Sequence, residues 1–246
     1  MTPEPRPPLD PIDSLPPALP VQDLLLSILM ALAGVMLVTN LLPLWLPGLS
    51  QSASGSDPKI YWFLGRGSAI AAFWLLWLSM CMGVSMTNKM AVVWPGIPPA
   101  YEIHQYTSLL GLGFAFFHAM ILIGDHYMKF TLAQLLVPFA SANFKTAWVG
   151  VGQVAIYVWL LVAFSFYFRG RIGKKAWRLI HFGSYLSFLG VMVHGIMTGT
   201  DASAAWSYYS YWASGASLLF LTVYRILNSL AAPSRSKRTE QAGNRS

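Results

Sequence analysis

The sequence contains a single cysteine, Cys81, among its 246 residues. It therefore cannot form a disulfide within the chain, nor a zinc or iron–sulfur site from its own thiolates. Charged residues are also scarce, at 10% of the chain, whereas 55% of the residues are hydrophobic and 14% are aromatic. A soluble globular domain carries about 25% charged residues. The composition thus argues against a soluble domain and predicts an integral membrane protein surrounded by lipid.

The charge balance is basic, with sixteen lysines and arginines against nine acidic residues and a net charge of +7. The basic residues cluster in short segments between long apolar runs, which is typical of cytoplasmic loops in membrane proteins. A nucleic-acid-binding surface would instead need a basic patch on a folded domain. We therefore predict no nucleic-acid partner.

Six apolar segments are long enough to cross a hydrocarbon core, which takes about 20 helical residues. They predict an all-α membrane protein, a six-transmembrane-helix bundle occupying residues 21–230. A proline-rich stretch, residues 1–20, is predicted to be a disordered cytoplasmic tail, and residues 231–246 a basic cytoplasmic tail. The six predicted helices are 22–46, 61–84, 101–124, 147–168, 177–198 and 206–228.

The distribution of lysine and arginine predicts the orientation. With the N-terminus in the cytoplasm, four of the sixteen basic residues lie outside and the remaining twelve lie inside. This asymmetry follows the positive-inside rule. We expect a multi-pass protein of the plasma membrane, the inner membrane of a bacterium, with both termini cytoplasmic. The four outer residues are Lys59, Arg66, Lys129 and Lys145.

Four histidines occupy two of the predicted helices, His104 and His118 in the third and His181 and His194 in the fifth. An imidazole fits poorly in hydrocarbon but is a good axial ligand for haem iron. Because one helix intervenes, these two helices run in the same direction. His104 should then face His181 near the cytoplasm, and His118 should face His194 nearer the outside. The pattern predicts two haem b groups between helices three and five.

The spacing of the histidines supports this arrangement in one helix more than in the other. The fourteen residues from His104 to His118 rise about 21 Å and leave both rings within roughly 40° of one face. Gly111, midway between them, is expected to give the cofactors room. The thirteen residues from His181 to His194 leave the rings roughly 140° apart in an ideal helix. Three glycines of that helix could permit a bend or a change of winding.

Other interpretations of these histidines are plainer. Histidines in membrane helices can merely hydrogen-bond to neighbouring helices, or relay protons in a haem-free transporter. A zinc or copper ion would need three or four ligands converging on one point. The histidines instead form two pairs separated by about 21 Å along the helix axis, which favours haem.

Four motifs carry a resemblance to a known family. The chain resembles the ferric reductase-like transmembrane domain of ferric-chelate reductases, of NADPH oxidases and of the haem subunit of the periplasmic methionine sulfoxide reductase system. The resemblance covers five of the six predicted helices and implies that His104 and His181 hold an inner haem, and His118 and His194 an outer one. The motifs are GRGSAIAAFWLLW at 65–77, HQYTSLLGLGFAFFH at 104–118, LAQLLVPF at 132–139 and RIGKKAWRLIHFGSYLSFLGVMVHGIMTGTD at 171–201.

The chain departs from the larger relatives after the last predicted helix. Those relatives carry a flavin and nicotinamide module there, whereas here only residues 229–246 remain, and no GxGxxG succeeds a strand pattern. We expect no FAD or NAD(P) domain in this chain. A separate electron donor, a flavoprotein or a membrane quinol, would reduce it.

The resemblance thus implies a ferric reductase-like oxidoreductase component. It would pass electrons from a cytoplasmic or membrane donor to an acceptor outside, which could be a periplasmic redox partner. The alternative is an electron-transfer subunit of a larger redox complex, without a substrate of its own.

A few further polar residues invite roles. Arg66 resembles the family arginine near the haem propionates, but could simply extend its guanidinium to lipid headgroups. Arg178, next to Trp177, could brace the inner haem or anchor the helix at the interface. His126 could contact the acceptor or move protons, or merely be solvated. Asp201 could cap helix six or lie near the acceptor.

Overall fold

The structure is a computed structural model. The chain divides into two units, Met1–Pro47 and Gly48–Ser246. In the first unit the described residues are helical from 21 to 27 and at 29, 30 and 33. Most of the predicted first helix, both predicted tails apart from residues 20 and 231, and His126 lie outside the described residues. The structure describes residues 20–27, 29–30, 33, 59–88, 90–125, 128–142 and 144–231.

The second unit is built from helices, and none of its described residues forms a strand. The all-α prediction therefore holds for the described part of the chain. Short 3-10 turns follow α2 and α4 and connect α1 to α2. The helices are α1 Lys59–Thr87, α2 Ile97–Ile121, α3 Leu132–Leu136, α4 Thr146–Ser165, α5 Arg169–Ile172, α6 Lys174–Thr198 and α7 Ala205–Ala231.

Among the described residues, four helical stretches are long and apolar enough to cross a membrane. They coincide with the predicted second, third, fourth and fifth helices, so the membrane character of the chain is supported. The predicted sixth helix is present as α7, but it is not one of these four stretches. The four stretches are Ile60–Thr87, Ile97–Gly124, Thr146–Ile172 and Lys174–Thr198.

The packing of these helices leaves α2 and α6 without close backbone contact. α1 packs along α2, α4 packs along α6, and α7 packs against α1. Among the described helices, α2 and α6 are not a closely packed pair. Side chains rather than close backbone contacts must therefore occupy the interval between α2 and α6, and this is where the histidines lie.

A core of apolar side chains joins the helices beside this interval. It includes Phe73 of α1, Trp159 of α4, Phe188 of α6 and Leu218 of α7. Phe188 is buried and its ring stacks on that of Phe73 at 5.9 Å between centroids. The core thus fixes how α1, α4 and α6 lie relative to one another.

Candidate functional site

The structure brings the four histidines together in the two predicted pairs. The ring centroids of His104 and His181 lie 6.0 Å apart, and those of His118 and His194 lie 6.4 Å apart. The ring planes cross at 73° in the first pair and 72° in the second. Because each pair takes one ring from α2 and one from α6, both pairs bridge the interval between these two helices.

These separations fit a metal held between two imidazoles. A histidine nitrogen binds a transition metal at about 2 Å, so two rings on opposite sides of one ion have centroids roughly 6 Å apart. An edge-to-face ring contact also falls in this range, at about 4.5–7 Å. The separation alone does not distinguish a metal held between the rings from a direct ring contact. The hydrogen bonds of the rings supply the further evidence.

Three of the four rings are tied through Nδ1 to a backbone carbonyl of a neighbouring helix. A carbonyl only accepts, so each Nδ1 must carry the proton, and the neutral ring then has its free lone pair on Nε2. This is the orientation found in metal-ligating histidines, whose second nitrogen donates to a carbonyl or carboxylate. The bonds run from His104 to Ser79 (2.8 Å), from His118 to Gly65 (2.7 Å) and from His194 to Trp148 (2.8 Å).

Two glycines of the neighbouring helices give the rings their places. A Cβ at Gly83 of α1 would lie 3.2 Å from Cε1 of His104, and a Cβ at Gly152 of α4 would lie 2.5 Å from Nδ1 of His194. Sequence reasoning missed both residues, as well as Ser79, because none of them lies on a helix that carries a histidine. Only knowledge of which helices pack together would identify them.

His181 is held differently from the other three. No described residue hydrogen-bonds to its ring, which instead stacks on Trp177 at 5.2 Å between centroids and 27° between planes. The indole Nε1 of Trp177 is buried and has no hydrogen-bond partner in the described part of the chain. A buried donor of this kind fits an acceptor such as a haem propionate. Arg178, the next residue, is exposed.

Arg66 and Asp201 form an ion pair that sequence reasoning did not foresee. The pair joins the beginning of α1 to the loop after α6. Arg66 follows Gly65, whose carbonyl accepts from His118. Asp201 lies three residues after Thr198, whose hydroxyl lies 3.4 Å from Nε2 of His194. The ion pair therefore joins two stretches of chain that contact the pair of His118 and His194.

The glycine expected to give the cofactors room has another role. A Cβ at Gly111 would lie 2.9 Å from the indole of Trp159 and 3.0 Å from the Cβ of Leu75. The absence of a side chain at Gly111 thus lets α2 approach α4 and α1, and the expectation that this glycine faces the space between the histidines was wrong.

The glycines of α6 do not change its winding. The helix is α-helical without interruption from Lys174 to Thr198. Two of its glycines permit close packing on α4 instead, since a Cβ at Gly190 would lie 2.8 Å from that of Ala155 and a Cβ at Gly183 would lie 3.3 Å from the side chain of Val158. His194 reaches its partner because its ring is fixed against α4, by Trp148 and Gly152.

Within the described residues, no three histidine, cysteine, aspartate or glutamate side chains come together as a metal-ion site. The four histidines form two separate pairs, whereas a zinc or copper ion would need three or four ligands at one point. Two histidines at each level would be able to hold a haem, which would supply one-electron chemistry there.

No family model, curated protein or solved structure matches the sequence in comparisons with known proteins. The resemblance to the ferric reductase-like domain therefore rests on the four sequence motifs, and the two histidine pairs are the basis on which a function can be proposed.

Proposed function

We propose that the chain is a transmembrane b-type cytochrome that passes electrons through two bis-histidine haems to an acceptor on the outer side of the membrane. The observation that carries this proposal is the repeated pairing at two levels, in which the ring centroids lie 6.0 and 6.4 Å apart and three of the four rings are oriented by backbone carbonyls. Histidines that only link helices would not need paired rings at both depths.

The residues of the chain would hold and tune the cofactors. His104 and His181 would ligate the inner haem, and His118 and His194 the outer one. When bound, haem iron exchanges one electron at a time between its ferric and ferrous states. The carbonyls that accept from Nδ1 of His104, His118 and His194 make those three rings stronger donors and fix their direction. The two levels lie about 21 Å apart along α2, so together they span most of a hydrocarbon core of about 30 Å.

The number of membrane helices, the orientation, the donor and the acceptor in this proposal are those predicted from the sequence. The bundle would have six membrane helices, with α7 as the last, in the plasma membrane and with both termini cytoplasmic. Trp177 and Arg178 would meet the inner propionates. Arg66 is paired with Asp201, which favours a role in holding the outer end together over direct contact with a propionate. A flavoprotein or quinol would supply electrons, and an outer redox partner or ferric chelate would receive them.

Absorption spectroscopy with haem quantitation on the purified protein tests the proposal. We expect about two b haems per chain, with the reduced-minus-oxidised bands of low-spin bis-histidine iron. His104→Ala and His118→Ala should each lose one haem. His126→Ala is the matched control, since His126 is the fifth histidine of the chain, and it should keep both. Colourless protein from cells with ample haem, or full haem content in the paired-histidine variants, would overturn the proposal.

A further inference from the structure

Residues 131–139, called here the 131–139 segment, form a compact turn between α2 and α4. It contains the short helix α3, which begins with a capping box: the Thr131 hydroxyl accepts from the backbone N–H of Gln134, and the Gln134 side chain accepts from the backbone N–H of Thr131. Further on, the N–H of Val137 donates to the carbonyl of Ala133 at 2.8 Å. The segment thus satisfies much of its own backbone.

The side chain of Gln153 on α4 satisfies backbone groups of the segment. Its Nε2 donates to the carbonyls of Gln134 at 2.7 Å and Leu135 at 2.8 Å. Its Oε1 accepts from the backbone N–H of Phe139 at 3.2 Å. Gln153 is itself buried. One buried amide therefore uses both its donor and its acceptor atoms on the segment.

Tyr157, one turn further along α4, donates from its hydroxyl to the carbonyl of Leu136. Three consecutive carbonyls of the segment, from Gln134 to Leu136, thus accept from side chains of α4. Such complete pairing is unnecessary in water, where solvent would satisfy these carbonyls. In a bilayer it is required, because irregular backbone at membrane depth must be satisfied by protein.

The position of these partners on α4 gives the depth of the segment. Gln153 and Tyr157 lie about 10 and 16 Å along the helix from Thr146. The apolar stretch Thr146–Ile172 has 27 residues, a length of about 40 Å against a hydrocarbon core of about 30 Å. If the stretch is centred in the membrane, Gln153 is about 5 Å and Tyr157 about 11 Å inside the core.

The outward side of the segment is apolar. Leu132, Leu136, Val137 and Phe139 are each about half exposed, at 52, 51, 54 and 52% of their surface. Four such side chains within eight residues form an apolar patch that water would disfavour. At the depth of Gln153 and Tyr157, the surroundings of this patch are acyl chains.

We propose that the 131–139 segment is a re-entrant element, which enters the leaflet in which α4 begins and contacts lipid acyl chains through its four half-exposed apolar side chains. Gln153 and Tyr157 hold it there. These two residues lie about 100° and 140° around α4 from Gly152, against which the His194 ring lies. The segment therefore covers a different side of the helix that supports the outer histidine pair. The proposal does not depend on haem binding.

Site-directed spin labelling in lipid nanodiscs tests the depth of the segment. In a Cys81→Ala background, a nitroxide is placed at Val137→Cys and, as the matched control, at exposed Ala142→Cys later in the same connection. We expect the Val137→Cys label to collide more with oxygen and less with a water-soluble nickel chelate than the control label. Equal access of nickel to both labels, in protein that elutes as a single folded species, would overturn the proposal.

The role of Gln153 is tested by adding Gln153→Leu to the Val137→Cys variant. Leucine cannot donate or accept, so two carbonyls and one N–H of the segment would lose their partners in lipid. We expect the segment to move towards water and the label to gain nickel access. If folded Gln153→Leu protein leaves the label as lipid-exposed as before, Gln153 does not hold the segment. Haem content is irrelevant to either result, so failure here is distinct from failure of the proposed cytochrome function.

Discussion

The imidazole of His194 lies over the backbone of Gly152, where a Cβ would come within 2.5 Å of its Nδ1. The same ring donates to the carbonyl of Trp148, one turn earlier on α4, at 2.8 Å. The ring can adopt this orientation only because residue 152 is a glycine and has no side chain. The position of His194 on α6 therefore depends on Gly152 of α4.

Gly152→Ala should remove the outer haem and leave the inner one. The added methyl group would displace the His194 ring and break its bond to Trp148, since the ring is held on a rigid helix and cannot yield cheaply. Haem quantitation by pyridine haemochrome on purified protein measures the loss as about one haem per chain.

Gly67→Ala on α1 is the control for this prediction. A Cβ at Gly67 would meet nothing within 4 Å, and alanine is favoured over glycine in a helix by up to about 1 kcal/mol. The control should keep both haems. Full haem content in Gly152→Ala would show that His194 tolerates the displacement or is not a ligand.

The two histidine pairs should differ in redox potential. Both rings of the outer pair donate to carbonyls, at Gly65 and Trp148, whereas in the inner pair only His104 does so. A ring that donates through Nδ1 is a stronger ligand and favours ferric iron. We expect a potentiometric titration to resolve two midpoints, with the lower one belonging to the outer haem. His118→Ala, which removes that haem, should abolish the lower midpoint and not the higher.

Trp177→Leu should alter the inner haem alone. Trp177 stacks on His181 and offers a buried N–H, so its loss removes both a packing partner and a donor. We expect the higher midpoint and the inner electron paramagnetic resonance signal to shift while the outer signal stays fixed. Trp212→Leu, at an exposed tryptophan of α7, is the control. Equal shifts of both haems would contradict the placement of Trp177 at the inner site.

The sequence was sufficient to predict the histidine pairs and five of the helices because these depend on local properties. Length and apolar composition define a membrane helix, and helices of equal direction place equivalent residues at equal depth. The glycines under the rings and the pairing of Arg66 with Asp201 depend instead on which helices are neighbours. Which helices are neighbours depends on how side chains interdigitate, as Trp159 does with the space at Gly111. The periodicity of the sequence does not predict such contacts.

The 131–139 segment illustrates the same limit. In the sequence, this segment lies between two predicted membrane helices, 101–124 and 147–168, and the five residues of α3 are too few to cross a membrane. Its position on α4 follows from the hydrogen bonds of Gln153 and Tyr157. A buried amide in a membrane helix indicates a partner, but the sequence does not identify which backbone it satisfies.

The Arg66–Asp201 ion pair should contribute measurably to stability. The side chains are 33% and 21% exposed, so screening by water limits the pair to about 0.2–1 kcal/mol. Arg66 also lies over the ring of Trp62 at 4.6 Å, which adds about 0.5–1 kcal/mol. Arg66→Gln should therefore destabilise the protein by about 1–2 kcal/mol and Asp201→Asn by less.

A double-mutant cycle in detergent measures the coupling between these residues. For a domain of this size, a loss of 1 kcal/mol lowers Tm by roughly 2–4 °C. The double variant should lose less stability than the two single variants lose in total, since the ion pair can be broken only once. Additive losses would mean that the contact carries no net energy. Haem content should stay at the wild-type level in Asp201→Asn, because Asp201 supports the outer end without being a ligand.

The proposed orientation can be tested at the two ends of α4. If the N-terminus is cytoplasmic, the loop before α4 lies outside and the basic stretch from Arg169 to Arg178 lies inside, where the positive-inside rule favours it. Fusions truncated after Ala142 should give active alkaline phosphatase and dark green fluorescent protein. Fusions truncated after Gly173 should give the reverse. The opposite pattern would show that the chain has the inverted orientation. The pair of His118 and His194 would then be the one that faces the donor.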